Sequence, residues 1–299
     1  MKKLLIDVTP VIQAFELTTK SALGGKLLGS YKSRFRGKGV EFEDYTEYSP
    51  GDDSNAIDWR ASVRSNKVLI KEYTEERSIN IFFLIDVSSS MVYTTGKKLK
   101  AEYAGELIIS LAFLMIKNSD NVGIALFNDK IIKRYAPQRG LTQYYKIINT
   151  LLNSQNYGGG CDFSNALKFS FGFVRPKSLI IIVSDFIGMG SNWQDILKIN
   201  AERFDIITFM VRDPADSVLP KTKREVILKD PFSNKTIRLS GKKVGEKYEK
   251  YVKQQEEDIK KFFTNLGISF LKLDTGESFA EPVIRFFNER KAILTRKGL

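Results

Sequence analysis

The chain has no histidine and a single cysteine, Cys161, among its 299 residues. Without histidine there can be no Ser-His-Asp or Cys-His catalytic machinery and no HExxH zinc site. An enzyme built on this sequence would need carboxylates, lysine, tyrosine or a metal ion instead. A lone cysteine forms no internal disulfide, which is typical of a reducing compartment.

Long hydrophobic runs are also missing. The most apolar stretch, residues 107–116, is well short of the ~20 residues that span a bilayer. The apolar residues at the N-terminus are interrupted by Asp7 and Pro10, and no small-residue cleavage site follows them. We therefore expect a cytoplasmic protein without a transmembrane segment.

Positive charge is abundant, with a net charge of +12 and a sequence pI near 9.5. Such a balance permits nucleic acid, acidic membrane or acidic protein as a partner. The basic residues are dispersed, however, and glutamates interleave the cluster at 242–253, as on a solvated helix face. No nucleic-acid-binding motif accompanies the charge, so we expect no specific nucleic-acid binding.

From residue 79 onward, apolar strand patterns alternate with amphipathic helix patterns. This alternation predicts an α/β fold with a doubly wound, mostly parallel sheet. Strands are predicted at 79–85, 121–127, 131–135, 179–183, 206–211 and 268–273, and helices at 98–117, 141–152, 163–174, 193–202 and 279–289. We divide the chain into an N-terminal region, 1–78, and an α/β domain, 79–299. The N-terminal region has a predicted helix over 1–28 and short extended pieces after it. A β-hairpin insertion is predicted at about 213–245.

Three loops of the α/β domain carry side chains suited to a ligand site. The first follows a buried strand and places Asp86, Ser88 and Ser90 on one tight turn. The second contains three glycines before Cys161 and Asp162, and the third carries Asp185 after another buried strand. Because ligands bind beyond the carboxyl ends of strands in open α/β sheets, these loops predict a site. Carboxylate and hydroxyl oxygens are ligands that Mg²⁺ or Mn²⁺ accepts.

Structural roles compete with ligand roles at two of these positions. Asp86 could cap the turn that follows it, although the three converging loops favour a metal or ligand site. Asp162 precedes a predicted helix, where an aspartate acts as an N-cap, and we favour capping over metal ligation there. Cys161 is expected to be a reduced, partly buried thiol.

The three loops resemble the metal-ion-dependent adhesion site of von Willebrand factor A domains. In that family the two serines of the first loop and a threonine of the second bind the ion directly, and the two aspartates act mostly through water. The resemblance implies these roles for Ser88, Ser90, Asp86 and Asp185. The threonine position is taken here by Cys161, and a thiol is a poor ligand for a hard cation.

A second resemblance lies upstream, in the segments 33–42, 48–53 and 57–64. These segments are similar to the signature of the bacterial family called domain of unknown function 58. The signature residues are Gly37, Gly39, Asp52, Asp53, Asp58, Trp59 and Arg60. The resemblance implies a non-enzymatic adaptor that binds a client protein or a MoxR-type AAA+ ATPase. From the residues alone we expect Gly37 and Gly39 in a tight turn, Trp59 in the core and Asp58 paired with an arginine.

Three functions remain open from the sequence. The first is a divalent-cation-dependent protein-binding adaptor, in which a partner carboxylate would complete the coordination of Mg²⁺ or Mn²⁺. The second is a cation-independent scaffold with a degenerate metal loop, for which Cys161 is the best support. The third is a haloacid-dehalogenase-type phosphatase, which normally requires an aspartate where this chain has Ser88.

Overall fold

The computed structural model describes residues 4, 41–49, 52–74, 78–219, 226–233, 235–239 and 242–296. These residues fall into two compact units, one within 36–78 and the other formed by the remaining chain. The predicted helix over 1–28, the signature residues Gly37 and Gly39 and the turn at 50–51 lie outside the described residues, apart from the isolated Leu4.

The smaller unit contains a two-stranded antiparallel sheet and one short helix. Strand β1 (Glu41–Glu47) pairs with β2 (Leu69–Thr74), and helix α1 (Trp59–Ser65) lies between them in sequence. Asp58 is the N-cap of α1, since its side chain accepts hydrogen bonds from the backbone N–H groups of Arg60 and Ala61. Such a cap satisfies helix donors that have no partner within the helix.

Two other signature aspartates also bind local backbone. Asp53 caps a 3₁₀ turn (Ser54–Ala56) by accepting from the N–H of Asn55, and Asp52 accepts from the N–H of Ser49. The carboxylates of the signature therefore shape the turns between β1 and β2.

The expectation that Trp59 packs in the core is wrong. Its side chain is 66% exposed at the first position of α1, and Val63, one helical turn later, is 82% exposed. The described part of the smaller unit has two strands and one short helix, and no second layer among these elements covers an aromatic side chain on α1.

The larger unit is built on a six-stranded sheet with the order β10-β7-β6-β3-β4-β5. All neighbouring strands are parallel except β5, which pairs antiparallel with β4. The strands of this unit are β3 (Asn80–Asp86), β4 (Asn121–Phe127), β5 (Ile131–Gln138), β6 (Leu179–Ser184), β7 (Asp205–Arg212) and β10 (Ser269–Asp274). The helices are α2 (Lys100–Lys117), α3 (Leu141–Leu152), α4 (Phe163–Phe173), α5 (Trp193–Arg203), α6 (Pro214–Ser217), α7 (Lys242–Asn265) and α8 (Ala280–Arg296).

Both faces of the sheet are covered by helices. Side chains alternate along a strand, so Ile81, Phe83 and Ile85 of β3 join one core with residues of α2, α3 and α8. Phe82 and Leu84 face the other way and join a second core with residues of α4, α5 and α7. Burial on both faces explains why the central strands are continuous apolar runs.

The predicted doubly wound, mostly parallel α/β fold of the von Willebrand factor A type is confirmed by this sheet order. The predicted hairpin is confirmed as well: β8 (Val226–Lys229) pairs antiparallel with β9 (Thr236–Leu239) in a separate two-stranded sheet. The 24-residue helix α7, which follows the hairpin, was not among the predicted elements. Across the described residues, no helix is both long enough and apolar enough to cross a membrane.

Candidate functional site

The three predicted loops meet at the carboxyl edge of the sheet. Two of them are joined by backbone hydrogen bonds, in which the N–H of Gly158 donates to the carbonyl of Val87 (2.7 Å) and the N–H of Ser89 donates to the carbonyl of Gly159 (3.0 Å). The N–H of Val87 also donates to the carbonyl of Phe127 at the end of β4 (2.8 Å). The first loop is therefore held from both sides. We call Asp86, Ser88, Ser90, Cys161 and Asp185 the strand-end site.

Gly159 allows the second loop to approach closely. Its φ is +87°, and a Cβ atom there would lie 2.7 Å from Nδ2 of Asn128. Asn128 uses that same amide nitrogen to donate to the carbonyl of Gly158 (2.7 Å). Only glycine both adopts this positive φ without strain and leaves room for the Asn128 side chain, because it has no Cβ atom.

Asp86 lies at the centre of the site and is completely buried. Its Oδ1 accepts from the N–H of Ser88 (2.9 Å), and its Oδ2 accepts from the hydroxyl of Ser184 (2.6 Å). Burial disfavours the ionised form of Asp86, and the nearby negative charge of Asp185 disfavours it further. Together they raise the pKa of Asp86 from 3.8 to about 6. Asp86 thus accepts a hydrogen bond within its own turn, from Ser88, and a second one from Ser184 at the end of β6.

The two serines of the first loop point to the same place. The Oγ atoms of Ser88 and Ser90 are 3.1 Å apart and share a hydrogen bond, and both residues are buried. Ser88 and Ser90 flank the start of a 3₁₀ turn (Ser89–Val92), which sets their common orientation.

Cys161 and Asp162 behave differently from each other. The Sγ of Cys161 lies 3.8 Å from Oδ2 of Asp86, so the thiol does face the strand-end site. Burial and the charges of Asp86 and Asp185 raise the pKa of Cys161 well above its usual range, which keeps it a neutral thiol. Asp162 instead accepts from the N–H of Asn165 (2.9 Å) as the N-cap of α4, as we favoured.

Asp185 is engaged by a lysine. Its Oδ1 accepts from the N–H of Ile187 (2.9 Å), while its Oδ2 lies 2.7 Å from Nζ of Lys100. The same Nζ is 2.7 Å from Oδ2 of Asp216, and Lys100 is only 1% exposed. Burial alone would lower the pKa of Lys100, but the two carboxylates together raise it above its ordinary value. Lys100 is therefore a buried, charged ammonium between two carboxylates.

Asp216 is held in place by a turn at the end of β7. It is in the short helix α6, whose N-cap is Asp213. The carboxylate of Asp213 accepts from the hydroxyl of Thr94 and the N–H of Thr95 in the loop before α2. The β7–α6 turn and the loop that leads into Lys100 are thus joined by hydrogen bonds.

The structure brings together all five predicted residues of the strand-end site, whereas the Asp162 side chain accepts the hydrogen bond that caps α4. Sequence reasoning missed Ser184, Lys100 and Asp216. One signal pointed to Lys100: it begins an apolar helix, and a cation at a helix N-terminus is unfavourable unless carboxylates surround it.

The side chains present fit a magnesium centre poorly. Asp185 is neutralised by Lys100, and both oxygens of Asp86 accept hydrogen bonds from the protein. Cys161 offers a protonated sulfur where a hard ion needs oxygen. Among the described residues, no group of three or more histidine, cysteine, aspartate or glutamate side chains is arranged to hold a metal ion. Of the strand-end site, the hydroxyl oxygens of Ser88 and Ser90 remain as uncharged ligands for a metal ion.

Comparison with known proteins identifies the family. A family model described as "Protein of unknown function DUF58" matches residues 44–258, well over half of the chain. The chain belongs to the DUF58 family. The match begins in the smaller unit and runs to residue 258, so it includes β3 to β7 of the six-stranded sheet but not β10.

Individual proteins are also similar to this chain. The Mycobacterium tuberculosis protein Rv1480 is 23% identical over 283 residues, which cover 94% of this chain and 89% of that protein. Among solved structures, BatB from Bacteroides thetaiotaomicron aligns with a TM-score of 0.48 and 15% identity, covering 72% of this chain and 98% of that one. The mussel proximal thread matrix protein 1, solved with zinc in its metal-ion-dependent adhesion site, aligns with a TM-score of 0.35 and 18% identity, covering 45% and 38%. At these TM-scores the fold assignment of this DUF58 protein rests on its own sheet order.

Proposed function

We propose that this DUF58 protein is a non-enzymatic protein-binding adaptor that acts in the cytoplasm with a MoxR-type AAA+ ATPase. The observation that carries the proposal is the convergence of the three loops on the strand-end site, since open α/β sheets bind their ligands at this edge. Membership of DUF58 supports an adaptor rather than a catalyst, as the resemblance of the signature implies.

Exposed apolar side chains in the signature support a role in protein binding. Trp59 and Val63 lie one turn apart on α1, so they share a face of that helix. Both are largely exposed, at 66% and 82%. Exposed aromatic and aliphatic groups side by side are typical of contact surfaces between proteins. We propose that this helix face contacts the partner protein.

Two modes of action are compatible with the adaptor role. In the first, the pattern of Asp86, Ser88 and Ser90 would hold Mg²⁺ or Mn²⁺, and a carboxylate of the partner would complete the coordination. The ion pair of Lys100 with Asp185 favours the second, a cation-independent scaffold, because the ammonium of Lys100 already neutralises that carboxylate. We propose the cation-independent mode.

The alternative of a haloacid-dehalogenase-type phosphatase lacks the second aspartate that this chemistry normally requires. The position that would need a second aspartate is Ser88, whose hydroxyl shares a hydrogen bond with Ser90. We therefore propose that the protein does not hydrolyse phosphate esters. Hydrolysis of p-nitrophenyl phosphate that disappears in Asp86→Asn would contradict this statement.

A binding experiment tests the adaptor function. The full chain is titrated by calorimetry with a purified, nucleotide-free MoxR-type ATPase from the same organism, with EDTA and with Mg²⁺. We expect binding in both buffers, and at least about tenfold weaker binding for Trp59→Ala. Tyr145→Ala is the matched control, because Tyr145 is a similarly exposed aromatic on another helix, at 59%.

The outcomes separate the alternatives. Binding that is lost in EDTA would contradict the cation-independent mode and restore the divalent-cation-dependent one. Equal affinity of Trp59→Ala and Tyr145→Ala would remove the signature helix from the interface. No binding of the ATPase by the wild-type chain would contradict the proposed partnership.

A further inference from the structure

Lys100 is placed where a lysine is costly. It is the first residue of α2, at the end of the helix whose dipole disfavours a cation, and only 1% of its surface is exposed. Lysine is almost never fully buried unless it is paired. The position is therefore explained by the partners of Lys100 and not by the helix.

The partners of Lys100 include a carboxylate of the strand-end site. Its Nζ is 2.7 Å from Asp185 and 2.7 Å from Asp216, whose side chains are buried or nearly so. Asp185 also acts electrostatically on Asp86, which is fully buried beside it. Two buried carboxylates at one sheet edge repel each other, and a neighbouring positive charge reduces that repulsion.

In a metal-ion-dependent adhesion site that positive charge would come from the divalent ion. In this chain it comes from the ammonium group of Lys100. The other departure from the metal-site pattern points the same way, since Cys161 puts a sulfur where an oxygen ligand is expected. Lys100 thus supplies positive charge to the carboxylates of this edge from within the protein.

We propose that Lys100 is the resident cation of the strand-end site and takes the place of a divalent metal ion. The wild-type protein then binds no Mg²⁺ or Mn²⁺ at this edge, and the charge of the site does not depend on metal supply. The inference extends the cation-independent mode of the proposed function. Its test uses no partner protein, so its failure would leave the adaptor function standing.

The test compares ion binding by wild type and Lys100→Met. Methionine keeps most of the length of the side chain and removes its charge. Mg²⁺ and Mn²⁺ are titrated into each protein by calorimetry, and the melting temperature is measured with and without Mn²⁺. The matched control is Lys98→Met, because Lys98 is close in sequence but pairs with Glu106, which is outside the strand-end site.

We expect wild type and Lys98→Met to give no binding heat and no shift in melting temperature with Mn²⁺. Lys100→Met should melt at a lower temperature without ions and recover when Mn²⁺ is added, since the ion then neutralises Asp185. Binding by wild type would overturn the proposal. A folded Lys100→Met that binds no ion would overturn it as well, because the lysine would then not occupy a cation site.

Two further variants keep the test decisive. Cys161→Thr restores the oxygen ligand while keeping Lys100, and it should remain unable to bind ions. Ion binding by Cys161→Thr would show that Cys161 is what prevents ion binding in wild type, and it would refute the role of Lys100. If Lys100→Met does not fold, Lys100→Met combined with Asp185→Asn and Asp216→Asn should fold, because the ammonium and both of its carboxylate partners are then removed together. Failure of that triple variant would show that Lys100 acts through packing and would overturn the proposal.

Discussion

Replacing Asp86 by asparagine should stabilise this protein at neutral pH, although it removes the central carboxylate of the strand-end site. Asp86 is completely buried, and burial together with the charge of Asp185 raises its pKa from 3.8 to about 6. The ionised form of this side chain is therefore less favourable in the folded protein than in the unfolded chain. Asparagine has a similar shape and carries no charge.

The size of the effect follows from the two pKa values. A carboxyl group whose pKa is raised on folding favours the folded state below its unfolded pKa, and this contribution is lost as the pH rises through the folded pKa. The difference between 3.8 and about 6 corresponds to about 3 kcal/mol of unfolding free energy at neutral pH. At about pH 4.5, where Asp86 is already protonated in the folded protein, the difference falls to about 1 kcal/mol.

Urea unfolding of wild type and Asp86→Asn at about pH 7.5 and about pH 4.5 measures this difference. We expect Asp86→Asn to be more stable at the higher pH, with a gain that shrinks at the lower pH. Asp195→Asn is the control, since Asp195 is an exposed carboxylate paired with Lys198 and should change stability by less than about 1 kcal/mol. A variant that is less stable than wild type at neutral pH, or a gain that is the same at both pH values, would refute the reasoning.

Three further perturbations test other parts of the structure. Gly159→Ala should destabilise the protein by about 1–3 kcal/mol in urea unfolding, because the φ of +87° strains any other residue and the new Cβ would meet Asn128; an unchanged midpoint would contradict the close approach of the second loop. The thiol of Cys161 should react with iodoacetamide at about pH 8 at least about tenfold more slowly in the folded than in the unfolded chain, as followed by mass spectrometry, because burial raises its pKa; equal rates would place the thiol in solvent. Asp58→Ala should lower the unfolding free energy by about 1 kcal/mol through loss of the α1 cap, whereas Asp58→Asn should keep most of that stability, since asparagine also caps helices. Equal decreases in melting temperature for the two variants would argue against capping.

Much of the fold could be predicted from local patterns. Burial on both faces makes the central strands continuous apolar runs, and helix α3 was predicted with the observed bounds, Leu141–Leu152. The charges over 242–253 had the pattern of a solvated helix face, but helix α7 was not predicted as an element because they obscured an apolar stripe that includes Ile259 and Phe263. The helical spacing of that stripe, read over all 24 residues, would have revealed it.

The exposure of Trp59 could not be predicted from its type. Tryptophan is usually well buried, and the sequence around it contains other apolar residues. The described part of the smaller unit has only two strands and one short helix, which leaves no second layer to cover that side chain. Burial depends on what packs opposite a residue, and a local pattern does not contain that information.

The sequence by itself determined the sheet and the meeting of Asp86, Ser88, Ser90, Cys161 and Asp185. Parallel strands end at a common edge, so the order of strands and loops along the chain was enough to bring these residues together. Only the tertiary structure decided the charge of the site. Lys100 is separated from Asp185 by 85 positions and from Asp216 by 116. A pairing across such distances arises from the packing of α2 against the ends of the strands, and no local periodicity or spacing encodes it.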